Sequence, residues 1–278
     1  MKYDPVKKTL GKFFSGSLFM RKLFYRLLDI LLLRAWHIKK ALRKISANMP
    51  ESAKILDAGC GFGQYTWRMQ KMNKKWNIKG IDIDNEHIRD CEYFFAKAGL
   101  SNRVSFQATD LTTLNDTDCY DIVLSVDVME HIQDDLKVFQ NFYKALNKGG
   151  VLIISTPSDK GGSDAHDEND DSFIEEHVRN GYNAEDISEK LSNAGFGNIK
   201  TIYTYGKAGH ISWLLSMKYP IKMLNFSSFS HKINFSFISF IILPFWYLII
   251  FPFMLILNYI DVNSTHKSGT GLLITATK

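Results

Sequence analysis

Residues 55–63 read Ile55-Leu56-Asp57-Ala58-Gly59-Cys60-Gly61-Phe62-Gly63, an apolar run that ends in an acid and opens into a glycine-spaced turn. Glycine suits a place where backbone leaves a strand sharply and must let a ligand come close. The spacing is G-x-G-x-G, not the G-x-G-x-x-G of a dinucleotide pyrophosphate site. Asp57 at the strand end would repel a pyrophosphate and favours a ligand with a cationic amino acid part. Nineteen residues after Gly63, a second strand ends in Gly80-Ile81-Asp82-Ile83-Asp84. A carboxylate at Asp82 can accept hydrogen bonds from both hydroxyls of a ribose. Asp110, just past a third strand, is placed to accept from an adenine amino group.

Outward from this loop the chain alternates strand-like and helix-like stretches, the pattern of a mostly parallel sheet with crossover helices. Strands are predicted at Ala53–Ala58, Asn77–Asp82, Val104–Ala108, Tyr120–Val126 and Val151–Thr156, with two more at Ile199–Tyr205 and Leu272–Thr275. Helices are predicted at Gln64–Met72, Asn85–Ala98, Gln133–Leu146 and Ala184–Ala194. The chain has 278 residues, 45% hydrophobic and 23% charged. That is too apolar for disorder and too charged for a multi-span membrane protein. Cys60, Cys91 and Cys119 have neither paired nor CxxC spacing, which excludes a disulfide scaffold and a cysteine zinc site and fits a reducing cytosol.

The set ILDAGCGFG, GIDID, ATDL, YDIVLSVDVMEHI and LNKGGVLIISTP resembles the class I S-adenosylmethionine-dependent methyltransferases, nearest to the ubiquinone-biosynthesis O-methyltransferase-like group. The resemblance covers about residues 50–205, with 271–278 as a closing strand. It implies a Rossmann-like α/β fold: a seven-stranded sheet whose last strand inserts antiparallel between the fifth and sixth. It also implies S-adenosylmethionine as cofactor, bound by Asp57, Gly59, Cys60, Gly61, Gly63, Asp82, Ile83, Asp110, Leu111 and Val126. Cys60, between glycines, is read as packing rather than chemistry.

Methyl transfer is an in-line displacement from a sulfonium, so it needs alignment and an acceptor lone pair. An oxygen acceptor usually needs a base or a metal, whereas an amine needs little beyond loss of a proton. The fourth strand delivers Asp127-Val128-Met129-Glu130-His131. Some ubiquinone-type relatives carry E-x-x-E-H here, assigned to magnesium. The resemblance therefore offers Asp127, Glu130 and His131 as Mg2+ ligands, with a shorter Asp in the first place. The other readings are His131 as base or substrate contact, and Glu130 and His131 as a cap for the next helix. The loop Ser158–Glu176 holds eight Asp/Glu and one Lys, either a solvated loop or a lid that attracts an amine. His177, Arg179 and Tyr182 follow as HxRxxY, and His177 is a second candidate base.

Two segments fall outside this domain. Residues 1–48 carry twelve Lys/Arg against two Asp/Glu, a net +10, and residues 49–278 a net −5. Apolar residues from Met20 to Leu42 recur at helical spacing among the charges, as in basic amphipathic helices at a membrane interface. No nucleic-acid recognition motif accompanies them. Ile233–Ile260 is a 28-residue stretch without a charge, containing Pro244 and Pro252. Because the closing strand follows it, a single span would put neighbouring strands on opposite sides of a bilayer. A hairpin bent near Pro244 or Pro252, or a segment lying in the interface, is expected instead. The expected division is thus 1–48 as membrane-interface helices, 49–206 with 269–278 as the methyltransferase domain, and 207–268 as an apolar insertion. The expected activity is methylation of a hydrophobic or lipid-linked acceptor at the cytoplasmic face of a membrane, oxygen slightly favoured. A tethered enzyme acting on a soluble molecule or sugar, and a non-catalytic scaffold, are the alternatives.

Overall fold

The computed structural model describes residues 17–161, 178–220 and 235–278, with side chains left out over 235–242. Its elements are α1 (Leu18–Leu31), α2 (Leu33–Ser46), β1 (Lys54–Ala58), α3 (Gln64–Met72), β2 (Asn77–Asp82), α4 (Asn85–Lys97), β3 (Val104–Ala108) and β4 (Tyr120–Val126). There follow α5 (Asp135–Ala145), β5 (Leu146–Pro157), α6 (Ala184–Asn193), β6 (Gly197–Thr204), α7 (Lys207–Trp213), α8 (Phe235–Asn263) and β7 (Gly271–Thr277). One seven-stranded sheet has the order β3-β2-β1-β4-β5-β7-β6. The first five strands in that order pair in parallel, and β7 is antiparallel to both neighbours, Ile154 opposite Ile274 and Ile202 opposite Leu273. This is the Rossmann-like class I arrangement expected from the motifs. The order reverses between β1 and β4, so the crevice beyond their carboxyl ends is where a ligand is expected.

Strands buried on both faces explain why Ile55-Leu56 and Leu152–Ile154 are continuously apolar. Caps fix the helix starts. Asp84 accepts from the N–H groups of Glu86 and His87 at α4, and Asn183 from those of Glu185 and Asp186 at α6.

The N-terminal segment departs from expectation. The apolar side of α2 is not available to a bilayer: Ile38 and Leu42 are fully buried with Ile55, Met69, Ile122, Leu124 and Ile153. A helix packed onto the sheet buries that stripe as core, so residue 48 is not a boundary in packing.

The apolar insertion departs too. Phe235–Asn263 is one helix of 29 residues with Pro244 and Pro252 inside it, not a hairpin bent at either. At about 1.5 Å per residue it is about 43 Å long. Each proline removes one N–H bond, leaving the carbonyls of Phe240 and Leu248 without their usual helical donor, while the other turns stay bonded. The requirement to return to the same sheet is met differently. α7 runs antiparallel to α8, with the Gly209 N–H donating to Asp261 (3.0 Å) and the Ser212 hydroxyl to Asn258 (2.6 Å). Beyond α7 the helix widens to a π turn over Leu214–Lys218. There the Trp246 indole and the Tyr247 hydroxyl donate to the carbonyls of Leu215 and Ser216, at 3.0 and 2.8 Å.

Candidate active site

The glycine loop between β1 and α3 is shaped by its own backbone. The N–H groups of Gly59 and Cys60 both donate to the Ile81 carbonyl, at 2.8 and 2.9 Å, which ties the loop to β2. Gly59 has φ +78°, and a Cβ there would stand 2.3 Å from Val128 Cγ2, so the first glycine is required by conformation and by space. Cys60 is buried in one cluster with Trp67 and Phe94.

Asp57 is 2% exposed and accepts from the Thr66 hydroxyl at 2.5 Å. Burial pushes its carboxyl up to about 7 from 3.8, opposed by Thr66 and assisted by nearby Asp82. A buried carboxylate without a cation is costly, and a cationic ligand portion in the loop would relieve that cost. Asp82 accepts from the N–H groups of Gly61 (2.8 Å) and Asp84 (2.9 Å), which fixes its carboxylate at the rim of β2. Ile83 beside it is exposed, an apolar surface next to the ribose-type acceptor. Asp110 is exposed and caps the short turn Leu111–Thr113 through Thr112. The Leu111 side chain, by contrast, is buried in the main core. Val126 is half-buried at the end of β4. These residues converge on the carboxyl ends of β1–β4, and the cradle with its uncompensated acid fits a cofactor that has a cationic amino acid end.

The acceptor end differs from what the motif suggested. Asp127, at φ +51°, pairs with the guanidinium of Arg34 from α2. Burial works against that guanidinium's charge, but Asp127 together with Tyr65 and Tyr205 outweighs it and raises its pKa. Glu130 points inward, 1% exposed, and accepts from the Thr156 hydroxyl at 3.1 Å. Burial, then the Asp127 charge, pushes its carboxyl up to about 8. Among the described residues no three His, Cys, Asp or Glu side chains group to hold a metal. The proposed Mg2+ set Asp127, Glu130 and His131 therefore does not fit. Asp127 is claimed by an arginine, and Glu130 is turned into the core beneath Thr156. His131 is half-buried on the short turn Met129–His131, at the mouth of β4.

His177 and most of the acidic loop lie outside the described residues. Of the HxRxxY run, Arg179 and Tyr182 are structural. Tyr182 donates to Asp135 at 2.8 Å, and Arg179 pairs with Asp135 and donates to the Ile132 carbonyl at 2.8 Å. They fasten the chain after β5 to the start of α5.

Sequence reasoning missed the contribution of the N-terminal helices. Arg34 reaches Asp127, and its backbone N–H donates to the Tyr205 hydroxyl at 3.1 Å. From α1, the Arg21 guanidinium and the Tyr25 hydroxyl donate to the carbonyl of Phe62 within the glycine loop, at 2.8 and 2.5 Å. The only sequence signal was a polar stripe, Arg21, Tyr25 and Asp29, at helical spacing inside a segment read for its apolar residues.

A family profile described as a methyltransferase domain matches residues 50–205. The chain belongs to that family and has the fold of the class I S-adenosylmethionine-dependent methyltransferases. Over 164 residues it is 30% identical to phosphoethanolamine N-methyltransferase 1 of Arabidopsis thaliana, covering 55% of this chain and 30% of the relative. Over 105 residues it is 27% identical to the ubiquinone biosynthesis O-methyltransferase of Psychrobacter cryohalolentis, covering 37% of this chain and 40% of the relative. The chain thus matches less than half the length of these relatives. Among solved structures, phosphoethanolamine N-methyltransferase 2 of Haemonchus contortus in complex with S-adenosyl-L-methionine superposes with a TM-score of 0.61 at 20% identity. That superposition covers 87% of this chain and 52% of the other, a likeness of fold.

When bound, S-adenosylmethionine supplies an electrophilic methyl on a positive sulfonium. The chain's part is to hold and orient. Asp57 supplies a negative site beneath the loop, Asp82 presents a fixed carboxylate, and the glycine turn admits the ligand against backbone. At the acceptor end Glu130 is turned inward onto Thr156, which leaves His131 as the candidate to take a proton from the acceptor.

Proposed function

We propose that this methyltransferase acts on a hydrophobic or lipid-linked acceptor at the cytoplasmic face of a membrane. One observation carries the reading. Residues Leu243–Asn263 have a mean hydropathy of 1.8, yet only 11% of the most apolar stretch is buried. Phe245, Leu248, Ile249 and Phe253 point outward, each more than half exposed. A core helix of a soluble enzyme would hide such residues, and an exposed apolar face of this size is a site of association. The same helix is fastened to the catalytic domain at its other end, where His37 of α2 meets the fully buried Asp261 at 2.8 Å. A lipid seat there would hold the acceptor mouth close to the bilayer.

An oxygen acceptor fits His131 as base. A second reading, methylation of an amine-bearing headgroup, is favoured by the similarity to N-methyltransferases. Incubation with methyl-labelled S-adenosylmethionine and a native lipid extract, followed by mass identification, tests both. Label in an extractable lipid supports the reading, and the labelled atom separates oxygen from nitrogen. Label only in water-soluble products would overturn it in favour of a tethered small-molecule enzyme.

A further inference from the structure

Helix α1 is built inside out. Its buried stripe is polar: Arg21 and Tyr25 are at 3% and 0% exposure, and Asp29 one turn on pairs with Arg68 and accepts from Gln64 of α3. Its outer stripe is apolar, with Phe19, Leu23 and Leu27 at 71%, 38% and 41% exposure and the same i, i+4, i+8 spacing. Water on the apolar side and protein on the charged side is the reverse of an ordinary surface helix. The inner stripe has a clear role. Arg21 and Tyr25 hold the Phe62 carbonyl in the middle of the glycine loop, and Arg21 is locked in turn by Asp90 of α4. They are positioning residues for the cofactor loop.

We propose that the outer stripe of α1 seats on an anionic bilayer, and that this contact and cofactor binding strengthen each other through the inner stripe. The lipid rather than another protein is indicated by charge. Lys22 and Arg26 flank the apolar stripe, and the segment to residue 48 carries a net +10. Apolar side chains ringed by cations match the depth profile of an anionic interface. The coupling follows from rigidity. A helix pressed onto lipid at Phe19, Leu23 and Leu27 loses freedom to lift, so the clamp on Phe62 stays closed without its ordering cost being met again on ligand binding. This inference rests on the membrane reading above and adds a second contact and a consequence for the cofactor.

The test is calorimetry of the full chain with S-adenosylhomocysteine, with and without vesicles of three parts phosphatidylcholine to one part phosphatidylglycerol. Vesicles should tighten S-adenosylhomocysteine binding about fivefold, the low end of ordinary coupling between two sites. Linkage demands that saturating S-adenosylhomocysteine raise vesicle affinity by the same factor. The Leu23→Glu/Leu27→Glu variant, altered only on the exposed face, should bind S-adenosylhomocysteine normally in solution, still sediment with vesicles through α8, and lose the tightening. Vesicle binding with unchanged S-adenosylhomocysteine affinity overturns the inference and leaves the membrane reading standing, as does a double variant that keeps the tightening. Failure of the wild-type chain to sediment with vesicles overturns both.

Discussion

Helices α2 and α8 invite the same reading as sequence, since each places apolar side chains among residues outside the catalytic motifs, yet they do opposite things. α2 spends its apolar side on the core, where Ile38 and Leu42 are fully buried. α8 turns Leu248 and Phe253 outward. Amphipathic spacing identifies a helix and its apolar face, but not what lies against that face. The two meet at one buried joint. Asp261 of α8 accepts from His37 of α2 at 2.8 Å and from the Gly209 N–H of α7 at 3.0 Å, while Lys40 of α2 donates to the Val262 carbonyl at 2.7 Å.

The largest effect is expected at that joint. Asp261→Ala would leave the Gly209 N–H and His37 buried without their acceptor, at a cost of about 3–5 kcal/mol, measured by urea unfolding. Asp261→Asn keeps acceptor oxygen and should cost less than half of that. Equal losses in both variants would mean that space, not hydrogen bonding, sets the joint. Next in size is the core side of the comparison. Leu42→Ala should cost about 2–5 kcal/mol, because a fully buried leucine leaves a cavity. A loss below 1 kcal/mol would return α2 to the surface and remove the distinction between the two helices.

A pH test sharpens the same contrast, because the cofactor end and the acceptor end under α2 each hold a buried acid. Asp57 goes up to about 7 and Glu130 to about 8 in the folded chain. For a folded-state pKa raised above the unfolded one, stability is fully present below the unfolded value and is lost as pH rises through the folded value. The ligand-free chain should therefore lose stability between about pH 4 and 8, by an order of 2–4 kcal/mol for each acid. In Asp57→Asn the loss below pH 7 should shrink, and S-adenosylhomocysteine should bind about tenfold more weakly as the negative site is removed. A ligand-free unfolding curve that is flat from pH 4 to 8 would show that both acids are solvated.

How much of this was legible depended on whether backbone or long-range packing made the feature. The glycine loop, Asp82 and the strand positions came from local requirements, a sharp turn, a carboxylate at a strand end and short apolar runs, and those are written in consecutive residues. The acceptor end was not legible. Asp127 lies 93 positions from the Arg34 that claims it, and no local pattern ties the two. The motif resemblance pointed to a metal because it carried only the acids, without the cation that α2 brings. The path of α8 was half legible. The need to return to the sheet followed from the closing strand, but α7 was too short to announce itself as the other arm.

The smallest stability effect separates the two helices most cleanly. Leu248→Ser/Phe253→Ser removes two exposed apolar side chains from α8 and should change unfolding free energy by no more than about 0.5 kcal/mol, since neither packs in the core. If α8 seats on lipid, the same double variant should partition onto anionic vesicles at least tenfold less, because each side chain of that size is worth about 1.5–3 kcal/mol when taken out of water. Helix α2 must show the reverse, large in stability and small in partition, when Leu42→Ala is measured on the same vesicles. A double variant of α8 that unfolds early but still sediments would put its outer face against protein, and the two helices would then differ only in which part of the chain covers them.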